Sequence, residues 1–118
     1  MKILLVDDEQ KFINMLAKRL ALRGIEADVA YTGEEALKKA ENAAYDVAVL
    51  DIKMPGISGP QLKRKLFALH PNLNFIFVTG HGAVEKSEED GSEKDIYLSK
   101  PLDIDFLIET VQELIQAR

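Results

Sequence analysis

The 118-residue sequence contains no cysteine. That absence excludes disulfides, thiolate metal centres and cysteine nucleophiles. It also lacks a long apolar run: the opening Met1-Lys2-Ile3-Leu4-Leu5-Val6 meets an acidic pair too soon for a signal peptide or a membrane span. No repeat or low-complexity tract interrupts it, although Glu85 to Asp95 is conspicuously polar. Positive charge is in deficit, with a net charge of -5, which argues against nucleic acid or an anionic membrane as a direct partner. What remains is a chain with enough apolar residues for one core and too short for two. The expectation is one cytoplasmic domain over residues 1–118, with no output domain in the chain.

The pattern alternates strands with helices. Ile3 to Val6 is a buried-strand run ending at Asp7-Asp8-Glu9, after which Phe12, Ile13, Leu16 and Leu20 recur at helical spacing up to Arg23-Gly24. Ile25 to Ala30 reads as a second strand, and Thr32-Gly33-Glu34-Glu35 opens a helix that turns Ala36, Leu37 and Ala40 inward. Asp46 to Leu50 is apolar on both faces, as a parallel strand buried between layers should be, and it stops at Asp51. Ser58 is the expected N-cap of a third helix with Pro60 in its first turn and Leu62, Leu66, Phe67 and Leu69 as its apolar stripe.

Asn74 to Val78 is the fourth strand and Ile96 to Leu98 the fifth. Between them, from Ala83 to Asp95, Val84 is the one strongly apolar residue, so a short or mobile helix is expected there. Ile104, Leu107, Ile108, Val111, Leu114 and Ile115 form the last amphipathic helix. Five strands alternating with five helices imply right-handed crossovers and an α/β, doubly wound, flavodoxin-like parallel sheet of order 2-1-3-4-5.

In that order, Asp7, Asp8, Asp51, Thr79 and Lys100 all stand at the C-terminal strand ends, where open α/β sheets bind ligands. Three carboxylates in one crevice repel one another, by about 4 kcal/mol per close pair at an effective dielectric of about 20. A cation must offset this. Oxygen donors without cysteine or a well-placed histidine select Mg²⁺ or Mn²⁺, and Lys100 adds a second positive charge. A carboxylate, a hard cation, a lysine and a hydroxyl suit phosphoryl transfer, with Asp51 as nucleophile and an aspartyl phosphate as product. Asp7 and Asp8 would hold the metal, and Lys100 and Thr79 would each engage a phosphoryl oxygen.

Four strings, Leu5-Val6-Asp7-Asp8-Glu9, Val49-Leu50-Asp51-Ile52-Lys53-Met54-Pro55-Gly56, Val78-Thr79-Gly80-His81-Gly82 and Tyr97-Leu98-Ser99-Lys100-Pro101, occur in this order. Together they make the whole chain resemble the receiver domain of two-component response regulators. The resemblance implies Asp51 as phosphoacceptor, Asp8 as a direct Mg²⁺ ligand, Asp7 acting largely through metal-bound water, and the Lys53 backbone carbonyl completing the protein ligands. It implies a cis bond before Pro101, and a switch in which Thr79 moves toward the phosphoryl group and Tyr97 rotates inward. Lys53 and His81 fall where the family places residues that modulate the phosphorylated lifetime.

The implied donor is a sensor histidine kinase or a histidine phosphotransfer protein. The implied readout is a downstream protein or output domain, reached through the face of the helix between strands four and five, strand five and the last helix. A homodimer through that face is a further assembly it allows. The chain departs from the family pattern just there, with Glu93-Lys94-Asp95-Ile96 before Tyr97. It would be no enzyme beyond its own phosphotransfer and autodephosphorylation. Two alternatives stand beside this reading: a degenerate receiver that binds partners without phosphorylation, and an aspartyl-phosphate phosphatase of the haloacid dehalogenase type. The latter wants an acid two residues after its nucleophile, where this chain has Lys53. A flavodoxin would need a phosphate-binding loop where Asp7-Asp8-Glu9 stands.

Overall fold

The computed structural model describes residues 1–80 and 96–116. The five strands are β1 (Lys2–Val6), β2 (Glu26–Ala30), β3 (Val47–Asp51), β4 (Asn74–Thr79) and β5 (Ile96–Ser99). They form one parallel sheet in the expected order β2-β1-β3-β4-β5. Four helices lie among the described residues: α1 (Gln10–Leu22), α2 (Gly33–Asn42), α3 (Gly59–Leu69) and α4 (Ile104–Gln116). The helix expected between Ala83 and Asp95 lies outside the described residues, as does His81.

Side chains alternate across a pleated strand, so each central strand feeds two cores. Leu4 and Val6 of β1, Ala48 and Leu50 of β3, and Phe75 and Phe77 of β4 pack with Ala36, Ala40, Leu62 and Leu66 of α2 and α3. Their neighbours Ile3, Leu5, Val47, Val49, Ile76 and Val78 pack instead with Ile13, Leu16, Leu20, Leu107 and Val111 of α1 and α4. Burial on both faces explains the uninterrupted apolar runs of β1, β3 and β4. It leaves polar residues to the strand ends.

Helix starts follow local chemistry. Thr32 caps α2 by accepting from the Glu35 N–H at 3.1 Å, and Ser58 and Gln61 form a reciprocal capping box at α3. One part of the α3 stripe differs from expectation. Leu62 and Leu66 are buried, but Phe67 and Leu69 are exposed. Phe67 is turned about 100° from Leu66 around the helix axis, off the inward line, and Leu69 belongs to the terminal turn.

Candidate functional site

The site is built from four strand ends. β1 and β3 are hydrogen-bonded neighbours, with Val6 opposite Leu50, so the residues that follow them emerge side by side. The Asp7 N–H donates to the Ala30 carbonyl at 3.1 Å, and the Ile52 N–H to the Val78 carbonyl at 3.0 Å, extending the ladders past the strands into the turns. Lys100 is fixed likewise: its backbone N–H donates to the Thr79 carbonyl at 2.8 Å, and the Lys100–Pro101 peptide bond is cis.

These constraints bring the carboxylates together. One oxygen each of Asp7, Asp8 and Asp51 lie within 4.8 Å of one another. Asp7 and Asp51 are buried, whereas Asp8 is exposed. Burial first, and the Asp7 carboxylate second, push the Asp51 carboxyl up to about 6; Lys100 opposes this, Asp8 adds to it, and a hydrogen bond from the Lys53 backbone opposes it again. Burial disfavours the ionised form because it removes the water that would solvate the charge. Such an oxygen-only donor set, partly buried and open to solvent through Asp8, fits a hard divalent cation that keeps some of its waters.

The positive charge nearby is held by Asp7 and Glu9. The Lys100 Nζ stands 2.9 Å from Asp7 Oδ2, contacts Glu9 Oε1, and lies over the Phe12 ring at 4.5 Å from its centroid. Burial draws this ammonium down, but hydrogen bonds to Glu9 and Asp7 and the charges of Asp7 and Asp51 outweigh that, leaving it above its ordinary value. The other oxygen of Asp7, Oδ1, accepts from the Glu9 N–H at 2.9 Å. A buried carboxylate is thereby satisfied on both oxygens.

Of the residues singled out from sequence, Asp7, Asp8, Asp51, Thr79 and Lys100 meet at one sheet edge. Lys53 follows Asp51 with its side chain in solvent. Tyr97 lies opposite Phe77 in the ladder and stacks on its ring, with centroids 5.3 Å apart and planes inclined by 23°. Sequence reasoning missed Glu9 and Phe12. Their spacing of three residues at the start of a helix, which puts both on one side of the first turn, was the available signal. An open hollow of about 510 Å³ lies alongside, lined by Ile52, Lys53, Met54, Pro55, Ser58 and Pro60. None of the three clustered carboxylates lines it, so the chemistry belongs to the acidic cluster.

Comparison with known proteins agrees with this fold. The model of the response regulator receiver domain family matches residues 3–112. The chain is 29% identical over 116 residues to the transcriptional regulatory protein TrcR of Mycobacterium tuberculosis, covering 98% of this chain and 45% of that protein. It is 32% identical over 119 residues to YesN of Bacillus subtilis, an uncharacterized transcriptional regulatory protein, covering 97% of this chain and 32% of that one. The chain spans less than half the length of the curated relatives it matches, from 45% of TrcR down to 3% of a hybrid signal transduction histidine kinase of Dictyostelium discoideum.

Among solved structures, a CheY-like receiver domain from Methanospirillum hungatei superposes with a TM-score of 0.87 at 31% identity, covering 98% of this chain and 94% of that one. The response regulator TrrA of Thermotoga maritima, in complex with Mg²⁺ and BeF, does so with a TM-score of 0.83 at 34% identity over 96% and 97%. The chain belongs to the response regulator receiver domain family, the signal-receiving module of two-component systems. Among the described residues, no helix is long and apolar enough to cross a membrane.

Proposed function

We propose that this receiver takes a phosphoryl group onto Asp51 from a phosphohistidine of a sensor histidine kinase or a histidine phosphotransfer protein. The observation that carries the reading is the convergence of Asp7, Asp8 and Asp51 within 4.8 Å, beside the Lys100 ammonium. An Asp51 carboxylate oxygen forms the new O–P bond as the donor's N–P bond breaks. Asp7 and Asp8, with Asp51 and the Lys53 backbone carbonyl, would hold Mg²⁺ or Mn²⁺. When bound, the cation supplies charge neutralisation at the phosphoryl oxygens. Lys100 and the Thr79 hydroxyl hold two of those oxygens and so orient the group for transfer.

The added phosphoryl group brings nearly two negative charges to the end of β4, and by drawing Thr79 it biases a two-state equilibrium. Tyr97 reports that shift on the face formed by β5 and α4, through which a downstream protein or output domain would be engaged. Lys53 and His81 are the lifetime modulators in this scheme. Chemistry ends with hydrolysis of the Asp51 phosphate, so the chain turns over no separate substrate. Two-component relays of this kind place the module in the cytoplasm.

Intact mass after incubation with acetyl phosphate tests the scheme. The expected result is a gain of one phosphoryl group that needs Mg²⁺ and is absent from Asp51→Asn. A chain that gains none under acid quench, in the presence of Mg²⁺ and at short reaction times, is instead a phosphorylation-independent binding module.

A further inference from the structure

Glu9 occupies the N-cap position of α1, yet its side chain makes no capping hydrogen bond. The side chains that cap from this position are the short ones of Ser, Thr, Asp and Asn, so the longer glutamate is not engaged by the first turn. Here the carboxylate turns the other way, onto the Lys100 ammonium, while the Phe12 ring lies beneath the same ammonium at 4.5 Å. The Lys100 side chain is 15% exposed and that of Glu9 64% exposed. The ion pairs of Lys100 among the described residues run to Asp7 and Glu9, with Asp51 felt through its charge. The ammonium therefore rests on the β1–α1 side of the crevice.

We infer that Glu9 and Phe12 form a resting seat for Lys100 that withholds its ammonium from Asp51, making Glu9 a positioning residue that slows phosphoryl acceptance. The inference rests on the proposed role of Lys100 at the phosphoryl group. Two carboxylates compete with Asp51 for one ammonium. Asp7 is bound by its backbone within the crevice, but Glu9 hangs at its outer rim and contributes only to the seat. Removing its charge shortens the residence of Lys100 at the rim and lengthens its residence near Asp51. An exposed pair of this kind sets an effect of about two- to fivefold on the occupancy of the two positions.

Two measurements test this. In the metal-free protein, the ¹H–¹⁵N signal of the Lys100 ammonium should be slow to exchange in wild type and broadened in Glu9→Gln. Identical signals would overturn the seat whether or not the protein can be phosphorylated. With acetyl phosphate and saturating Mg²⁺, Glu9→Gln should accelerate Asp51 phosphorylation about two- to fivefold, and in a Lys100→Met background the same change should have less than about a 1.5-fold effect. An unchanged or slower rate in Glu9→Gln, or an equal acceleration in both backgrounds, would overturn the inference. Absence of any adduct in wild type would count against the phosphoacceptor reading instead, leaving the ammonium signal to decide on the seat.

Discussion

Asp51 is held in a state that opposes its own ionisation. Its carboxyl stands at about 6 against an ordinary 3.8, so between those values the folded chain binds more protons than the unfolded one. The Asp51 contribution to stability falls as pH rises through that window and levels off above it, because the raised group contributes fully only while protonated. At neutral pH the Asp51 charge is a cost to the fold. Replacing it with the neutral isostere Asn should stabilise the metal-free protein at pH 7 by about 1–2 kcal/mol, after allowance for solvent screening. Urea titrations at about pH 7 and about pH 4 check this: the advantage of Asp51→Asn should nearly vanish in acid, and an advantage that persists there would show a packing effect. The acidic pair, the acceptor and the lysine were legible in sequence because strand ends announce them. Glu9 and Phe12 were not, since an acidic N-cap and a helical aromatic each have an ordinary structural use.

Helix α3 is the element that locks the acceptor in place. The Gly59 N–H donates to the Ile52 carbonyl at 2.8 Å, and a Cβ at Gly59 would stand 2.6 Å from the Asp51 carbonyl oxygen and 3.0 Å from the Ile52 Cα. Both obstacles are backbone, which cannot rotate away. Gly59→Ala should therefore cost about 1–3 kcal/mol and displace the loop that carries Asp51, lowering phosphorylation as well as stability. Gly33 offers the contrast: its Cβ would meet Ile57 Cγ2 at 2.2 Å, a side-chain methyl that a rotamer change can move. Gly33→Ala should be the milder of the two in thermal denaturation, and the reverse ranking would refute this account. The Ser58 cap that starts α3 and the doubly buried strands were written plainly in the sequence, because caps and two-faced burial are local requirements. The exposure of Phe67 and Leu69 was not, because how far a helix overlies its sheet depends on packing that no single segment encodes.

At the scale of the whole molecule, the two sheet edges carry opposite duties. Around the N-terminal edge, the Tyr45 hydroxyl donates to Asp28 Oδ2 at 2.6 Å, Lys2 Nζ lies 3.6 Å from the same oxygen, and the Lys2 N–H donates to Asp46 at 2.8 Å. In that network Asp28 and Asp46 each accept from a protein donor. Tyr45→Phe should cost about 1 kcal/mol of stability while leaving the rate of phosphorylation by acetyl phosphate unchanged, and a changed rate would mean the edges are coupled. The C-terminal edge leaves its charges unbalanced, with Asp7, Asp8 and Asp51 clustered while the Lys100 ammonium pairs with Asp7 and Glu9. A ligand that binds only the folded state stabilises it by mass action, by about 2.7 kcal/mol at a hundred times its Kd. Mg²⁺ should thus raise the melting temperature at about pH 7.5, where Asp51 is ionised, and lose much of that effect at about pH 5, where a proton competes for the same oxygens. Calorimetric melts with Mg²⁺ at both values, against Na⁺ at matched ionic strength, decide the point. A shift of equal size at both pH values, or one reproduced by Na⁺, would mean that general screening rather than the Asp7–Asp8–Asp51 cluster is responsible.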